Sequence, residues 1–387
     1  MRAIVLGAAG AVCRETTRDL ATRGAFEEVV AADSRADVLG SLLEDLPRSR
    51  VRPMLLDVND GSALRRAIQG FDVVVNGLPF HFDLAVTQAC IDVGVNGLDL
   101  SSDEDQFALH PQAAGRGITF IPGVGATPGV TNMAVARAAG RLDRLETVDI
   151  AFAAFRCLAP APGLLATTLW EFDPEEPARQ RVYYQDGAWH PAAPLTGGVP
   201  VDFGGAIGCQ TVYYVPHPET ATLPRSFPTL RRAAVRGCFP SPVMELMGSL
   251  LRAGLLARRP IELGGERGPI QVFVRTLLAE SPQLKHSDLW AYGLVIEVKG
   301  ERDARRASCV YRSRHPPAER WGGPSAYYKN VGLPLAIGAE LIAAGQALGT
   351  GVLPPELGLP VEPFFQALAG RGILVDETLT EEGLLAA

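Results

Sequence analysis

The chain opens with an apolar, branched run, Ala3-Ile4-Val5-Leu6, that stops at the small-residue loop Gly7-Ala8-Ala9-Gly10-Ala11-Val12-Cys13. A helix-like segment follows from Arg14 to Arg23. A second apolar run, Glu28 to Ala32, then ends on an acid, Asp33. Strand, glycine turn, helix, strand and acid is the order of a βαβ unit that binds a dinucleotide. Gly7 suits a turn with no room for a Cβ. Gly10 lets the backbone approach a diphosphate, and the helix points its unpaired N–H groups and positive end at the same place. The spacing is G-x-x-G-x-x-G rather than G-x-G-x-x-G, with Cys13 in the third position, where a small side chain still allows tight helix packing. Gly7, Ala9, Gly10, Ala11 and Val12 are therefore expected to line the cofactor. Asp33 stands where an acid takes the ribose hydroxyls, which favours NAD. Ser34 and Arg35 follow at once, and an arginine there suits the 2′-phosphate of NADP, so NADP stays open. Asp57 and Val58, after the third strand, are expected near the adenine, although Asp57 reads equally well as an ordinary turn acid.

Strands and helices alternate through the first third, with strands at Val51–Leu56, Phe71–Asn76, Val95–Leu100 and Ile118–Ile121. This alternation predicts an α/β chain with a Rossmann-type, doubly wound parallel sheet. In such sheets ligands sit at the carboxyl ends of the strands, which singles out the loops 77–82, 101–106 and 122–129. After about residue 131 the texture changes. Runs such as Thr147–Phe155, Val182–Tyr184, Thr211–Val215, Gln271–Leu277, Ala291–Val298 and Cys309–Arg312 read as strands, several with one wet face. They predict a second, α+β domain with a mixed or antiparallel sheet. Helical character returns from Leu333.

At 387 residues the chain is too long for one typical core, so two domains are expected. A formal net charge of −7 offers no basic face for nucleic acid. The six cysteines form no C-x-x-C pair, so neither a zinc site nor a disulfide framework is indicated. The apolar stretch 333–353 is broken by Glu340, Gln346 and glycines, and reads as a buried helix rather than a membrane span. The first strand begins at once, leaving no room for a leader. A cytoplasmic protein with reduced thiols is the expectation.

Taken together, these pieces resemble the saccharopine dehydrogenase family, most nearly its lysine 6-dehydrogenase type. The likeness rests on 72–79 (DVVVNGLP), 89–95 (ACIDVGV), 98–101 (LDLS), 122–132 (PGVGATPGVTN), 225–228 (RSFP) and 351–356 (GVLPPE). It implies a discontinuous layout: a nucleotide domain over 1–130 completed by C-terminal helices from 331–387, and a substrate and homodimer domain over 131–330. It also implies an NAD(P)-dependent dehydrogenase acting on the C–N bond of a small amino-acid substrate, by oxidative deamination of a lysine-like amine or reduction of the matching imine. Two other readings stand beside it: a specialised biosynthetic member that forms or reduces an imine, and a non-catalytic NAD(P)-binding sensor or assembly protein.

Asn76, Gly77, Leu78 and Pro79 fall on the expected nicotinamide side. His81 in the same loop is a candidate proton shuttle, weighed against a packing role between Phe80 and Phe82. Asp99 ends a strand where an acid–base group would suit, or where a carboxylate would cap the next helix or hold the Ser101-Ser102 loop; Lys329 is a third acid–base candidate, weighed against an exposed ammonium. Ser101, Thr127, Pro128, Gly129 and Asn132 are candidates for substrate contact, the last four at a helix start suited to an anion. Thr127 stands where saccharopine-type relatives often carry an acid. His217 and Arg225 share a polar segment with Glu219, and Arg225 suits a carboxylate. Arg231, Arg232 and Arg236 read as a solvated strand face.

Overall fold

The computed structural model describes residues 1–44, 46–47, 49–175 and 181–384. The chain forms two compact units, 1–141 with 328–375 and 142–327 with 376–387. In the first unit, β1 (Arg2–Leu6), α1 (Cys13–Arg23), β2 (Glu28–Asp33), α2 (Ala36–Glu44), β3 (Val51–Leu55) and α3 (Gly61–Ile68) form one half of the sheet. β4 (Val73–Asn76), α4 (Asp83–Val93), β5 (Asn96–Asp99), α5 (His110–Gly115), β6 (Thr119–Ile121) and α6 (Val130–Ala139) form the other. All strands run parallel in the order β6-β5-β4-β1-β2-β3. Leu6 of β1 pairs with Ala32 on one side and Asn76 on the other, so strand order reverses at β1 and β4.

Consecutive strand residues are buried, Ala3–Leu6 and Val73–Val75 among them, because helices cover both faces. Ile4, Leu6, Val30, Val74, Leu64, Ile68, Val86 and Phe120 meet in one core. Each such aliphatic side chain contributes roughly 1.5–3 kcal/mol of burial. The start of α3 is set by Asp60, whose carboxylate accepts the N–H groups of Ser62 and Ala63 at 2.9 and 3.0 Å.

The second unit begins with β7 (Arg144–Phe155), α7 (Pro162–Glu171), β8 (Val182–Gln185), β9 (Ala188–Pro191), β10 (Val199–Asp202), β11 (Cys209–Tyr214) and α8 (Glu219–Ser226). It continues through β12 (Arg232–Cys238), α9 (Ser241–Arg252), the hairpin β13 (Pro260–Leu263) and β14 (Glu266–Pro269), α10 (Ile270–Glu280), β15 (Ala291–Arg302), β16 (Arg305–Arg314) and α11 (Ala318–Trp321). α12 (Ser325–Ala343), β17 (Gly351–Val352), α13 (Pro355–Gly358), α14 (Val361–Ala369) and β18 (Leu374–Leu384) complete the chain. β17 adds to β6 as a seventh parallel strand of the first sheet. The second sheet is mixed: β12 runs parallel to β7, while β15 runs antiparallel to both β7 and β16.

Three expectations are corrected. The run 271–277 is a helix, not a strand: Ile270 and Val274 are buried while Val272 and Leu277 are exposed, which is helical spacing. The tail is not all helix. β18 joins the second sheet beside β16, with exposed and half-buried residues alternating from Asp376 to Thr380, and 385–387 lie outside the described residues. Arg236 is no surface cation. Its guanidinium is buried, donates to Asp149 at 2.9 Å, the Gly197 carbonyl at 2.9 Å and the Tyr214 hydroxyl at 2.8 Å, and lies over the Tyr214 ring. Arg232 bridges the same aspartate at 3.0 Å. Among the described residues, no helix is long and apolar enough to cross a membrane.

Candidate active site

At the carboxyl end of β1 the backbone turns through Gly7 at φ +70°, a region side chains disfavour. A Cβ here would lie 3.0 Å from the Gly77 carbonyl oxygen, and one on Gly10 would lie 3.1 Å from the Gly7 oxygen. The Gly10 N–H closes the turn onto Gly7 at 3.0 Å. Cys13 Sγ occupies the space a side chain on Gly77 would need. The loops after β1 and β4 therefore nest against each other where strand order reverses, the place a doubly wound sheet binds a nucleotide. Burial pushes the Cys13 thiol up to about 12, so it packs as a neutral group. Among the described residues no side chain caps α1; the Arg14 and Glu15 N–H groups bond the Gly10 and Val12 carbonyls at 2.9 and 3.0 Å, so the glycine loop itself closes the helix start and the positive end of the helix faces the loop.

Asp33 is buried at the end of β2. One carboxylate oxygen accepts the Ala9 N–H at 3.2 Å, tying the acid to the glycine loop. The other accepts the Arg35 backbone N–H at 3.1 Å and Nε at 3.4 Å. Ser34 and the Arg35 side chain are exposed beside it. A close-approach turn, an uncapped helix start and a ribose-height acid fit a dinucleotide. Asp57 is exposed and accepts the Asn59 N–H and Nδ2, while Val58 packs against the core. A surface cavity of about 610 Å³ lined by Glu28, Leu43, Arg50 and Pro53 lies at the amino ends of β2 and β3, the opposite end of the sheet.

The loops after β4, β5 and β6 are held by a buried polar chain. Asn76 donates to Asp83 at 2.8 Å and accepts the Leu78 N–H at 3.2 Å, which shapes Gly77-Leu78-Pro79. Gln106 donates to Thr87 at 2.8 Å and Asp99 at 2.6 Å. Asp99, wholly buried, also accepts the N–H groups of Ser101, Ser102 and Gly123. It is thus a loop-holding residue rather than an open acid–base group. Burial, reinforced by the Asp99 charge, pushes the Asp83 carboxyl up to about 10, so Asp83 is neutral at pH 7.

In the next loop Gly129, at φ +122°, presses on Gly125. Its N–H donates to Asn132 Oδ1 at 2.9 Å, and Asn132 Nδ2 donates to Glu356 at 2.8 Å, so this amide serves the fold. Pro128 is buried, and Thr127 and Ser101 are half-buried. His81 sits exposed in a single 3₁₀ turn, 80–82, its ring 4.2 Å from that of Phe82. Lys329 is half-buried in α12.

The second unit gathers a cluster that the sequence shows only in part. His217 Nδ1 lies 3.3 Å from Glu219 Oε2, with Glu219 fully buried at the start of α8. The imidazole packs on Phe152 at the end of β7, 5.1 Å between ring centroids. Tyr292 of β15 stacks with Phe152, 6.1 Å between centroids, and meets Tyr327 at 5.5 Å. Glu171, the last residue of α7, is 7% exposed and its Oε2 has no hydrogen-bond partner. Burial raises its carboxyl to about 7 despite His217, Arg156 and Arg181. Burial alone would lower the His217 pKa, but Glu219 and then Glu171 outweigh it and raise it. Arg156, 2% exposed, is committed to the carbonyls of Cys157, Leu158 and Leu164 and the Thr168 hydroxyl, and lies between the Phe239 and Tyr327 rings. Arg225 is exposed, its guanidinium 5.8 Å from the Trp189 ring centroid. Sequence reasoning singled out His217 and Glu219 only as members of one polar, proline-punctuated segment. It missed Phe152, Arg156, Glu171 and Tyr292; an arginine directly after a buried apolar strand was the one available signal.

A family model described as the saccharopine dehydrogenase NADP binding domain matches residues 3–121, and one described as the saccharopine dehydrogenase C-terminal domain matches residues 125–373. The chain is 24% identical over 394 residues to a carboxyaminopropylagmatine dehydrogenase of Synechocystis sp., covering 96% of each protein. It is 26% identical over 335 residues to a carboxynorspermidine synthase of Vibrio cholerae, covering 81% of this chain and 78% of that one. The fold is that of saccharopine dehydrogenase (L-Glu forming) from Saccharomyces cerevisiae, with a TM-score of 0.71 at 17% identity over 98% and 99% of the two chains. The protein belongs to the saccharopine dehydrogenase family of NAD(P)-dependent oxidoreductases acting on amines.

Proposed function

We propose that this chain makes or breaks the secondary-amine linkage of a carboxylated polyamine, with NAD(H) as the hydride partner. The observation that carries this reading is the match to the Synechocystis protein across 96% of both chains. The V. cholerae match, to a protein named for a carboxylated polyamine, points the same way. In the oxidative direction the amine nitrogen gives up a proton, and the carbon beside it gives up a hydride. The resulting C=N bond is open to water, which yields an amine and a carbonyl; the reverse builds the linkage. The bound nicotinamide supplies the hydride acceptor. The chain supplies position, a proton acceptor and a match for the substrate's charges. A lysine-like substrate, expected from the resemblance, is the second reading and shares the same bond chemistry.

The preference for NAD rests on Asp33. A carboxylate fixed by the Ala9 N–H suits a pair of ribose hydroxyls and repels a 2′-phosphate. Arg35, with its side chain about half exposed, is the group that would favour NADP. The homodimer and the cytoplasmic setting belong to the same proposal; light scattering on the purified protein reads the first. The test of function is to incubate the protein with carboxyaminopropylagmatine, carboxynorspermidine, saccharopine and L-lysine in turn, with NAD or NADP, and follow nicotinamide reduction. Turnover of a carboxylated polyamine at a kcat/KM at least tenfold above that of lysine is expected. Turnover of lysine alone would contradict the polyamine reading.

A further inference from the structure

We infer that the Glu171–His217–Glu219 cluster, walled by Phe152, Tyr292 and Tyr327, is the site that takes the substrate's amine nitrogen, and that His217 Nε2 accepts its proton. This deepens the reading above and rests on it for the identity of the amine. The argument starts from the imidazole. Its Nδ1 lies 3.3 Å from Glu219, which fixes the orientation of the ring. The His217 side chain is 12% exposed, whereas Glu219 behind it is wholly enclosed. That is the arrangement of an acid–base imidazole oriented by a buried carboxylate.

Glu171 is the second, independent observation. Its carboxylate is more than nine-tenths buried, and among the described residues its Oε2 has no hydrogen-bond partner. An unsatisfied buried carboxylate costs a folded chain free energy unless something else binds it. An ammonium supplies the missing donor and opposite charge. Aromatic faces beside carboxylates add cation–π attraction, which suits an amine and not an anion.

The groups facing His217 come from every neighbouring element. Glu219 lies on α8, Glu171 on α7, Arg156 directly after β7, Tyr292 on β15 and Tyr327 on α12, and Arg181 acts on Glu171. Arg156 donates to three carbonyls and a hydroxyl, and Arg181 donates to the Glu171 and Asp173 carbonyls. These cations balance the carboxylates as part of the scaffold. The proton that moves is therefore shared between His217 and the incoming nitrogen. In the oxidative direction the substrate N–H proton passes to His217 Nε2; in the reductive direction the imidazolium returns it. Glu219 is a positioning residue acting through the imidazole.

The test uses the whole chain and two readouts. Imidazole resonances of the six histidines are titrated with pH, without and with agmatine as the amine probe, and His217 is assigned by its absence in His217→Gln. The expected result is one resonance titrating above the ordinary imidazole range, moved by agmatine, and lowered in Glu219→Gln and Glu171→Gln. In turnover, His217→Gln is expected to lower kcat roughly a hundredfold or more. Glu219→Gln is expected to shift the acid limb of kcat to lower pH, because neutral His217 is the working form. His190→Gln, at an exposed ring on β9, serves as the control with unchanged kinetics. An unchanged pH profile in Glu219→Gln, or histidine resonances indifferent to agmatine, would overturn the inference. If the wild type turns over no carboxylated polyamine, the functional reading fails by itself, and the amine-dependent shift of His217 still decides this one.

Discussion

The two units build their sites from opposite materials. The nucleotide end is made of backbone: Gly7 and Gly77 leave out side chains so that two loops can touch, and α1 starts on the glycine loop's own carbonyls without a side-chain cap. The amine end is made of side chains gathered from positions 152, 156, 171, 217, 219, 292 and 327, brought together from five stretches of chain. A site of the first kind breaks when atoms are added, and one of the second kind when charges are removed. A glycine turn tolerates little, whereas a side-chain cluster can be re-dressed residue by residue.

The largest effect is expected from adding atoms at the turn. Gly7→Val puts a branched side chain at φ +70° and against the Gly77 carbonyl. Dinucleotide affinity measured by calorimetry should fall about a hundredfold or more, worth some 3 kcal/mol. Retained affinity in a folded variant would break the backbone side of the comparison. Next comes a charge removed from the second unit. Arg236→Ala strands Asp149 with Arg232 alone, and because Asp149 is 28% exposed the loss should be about 2 kcal/mol, below that of a fully buried pair. A thermal melt within a degree of wild type would return Arg236 to the solvated face that its sequence suggests.

Asp33→Ser removes the ribose acid while leaving Arg35. The ratio of NADP to NAD affinity should rise about tenfold, or some 1.4 kcal/mol, in paired titrations. An unchanged ratio would mean that Asp33 serves only to anchor Ala9. The smallest effect tests the buried chain behind the nicotinamide-side loop. Burial, with the Asp99 charge beside it, raises the Asp83 carboxyl above its ordinary 3.8. Folding therefore takes up a proton above that pH, and stability falls as pH rises toward the raised value. Asp83→Asn has no proton to release. Its melting temperature should gain on wild type as pH rises and converge with it near pH 4. Parallel curves at all pH values would show that Asp83 is ionised in the native state.

What the sequence disclosed divides along the same line. The turn at Gly7, the acid at Asp33 and the strand–helix alternation are local constraints, each written within about 30 residues, the span of a βαβ unit. The role of Gly77 was legible only as a loop residue, because its contact with Cys13 spans two strands. Asp99 reads from its strand-end position either as an acid–base group or as the holder of the Ser101-Ser102 loop; the four donors converging on it decide for the holder. Glu171 gives no sequence signal at all, since an acid closing an apolar helix is ordinarily solvated. The helix at Ile270–Glu280 was hidden by branched residues that favour strands locally, and burial at helical spacing overrode them.

The most direct test of the whole account is isotopic. The protein is given carboxyaminopropylagmatine deuterated on the carbons next to its secondary nitrogen, with NAD, and the recovered nicotinamide is analysed by mass spectrometry. The account predicts reduced nicotinamide carrying one deuterium, with an amine and a carbonyl released together. Unlabelled cofactor alongside intact substrate, in protein shown to bind NAD, would contradict it.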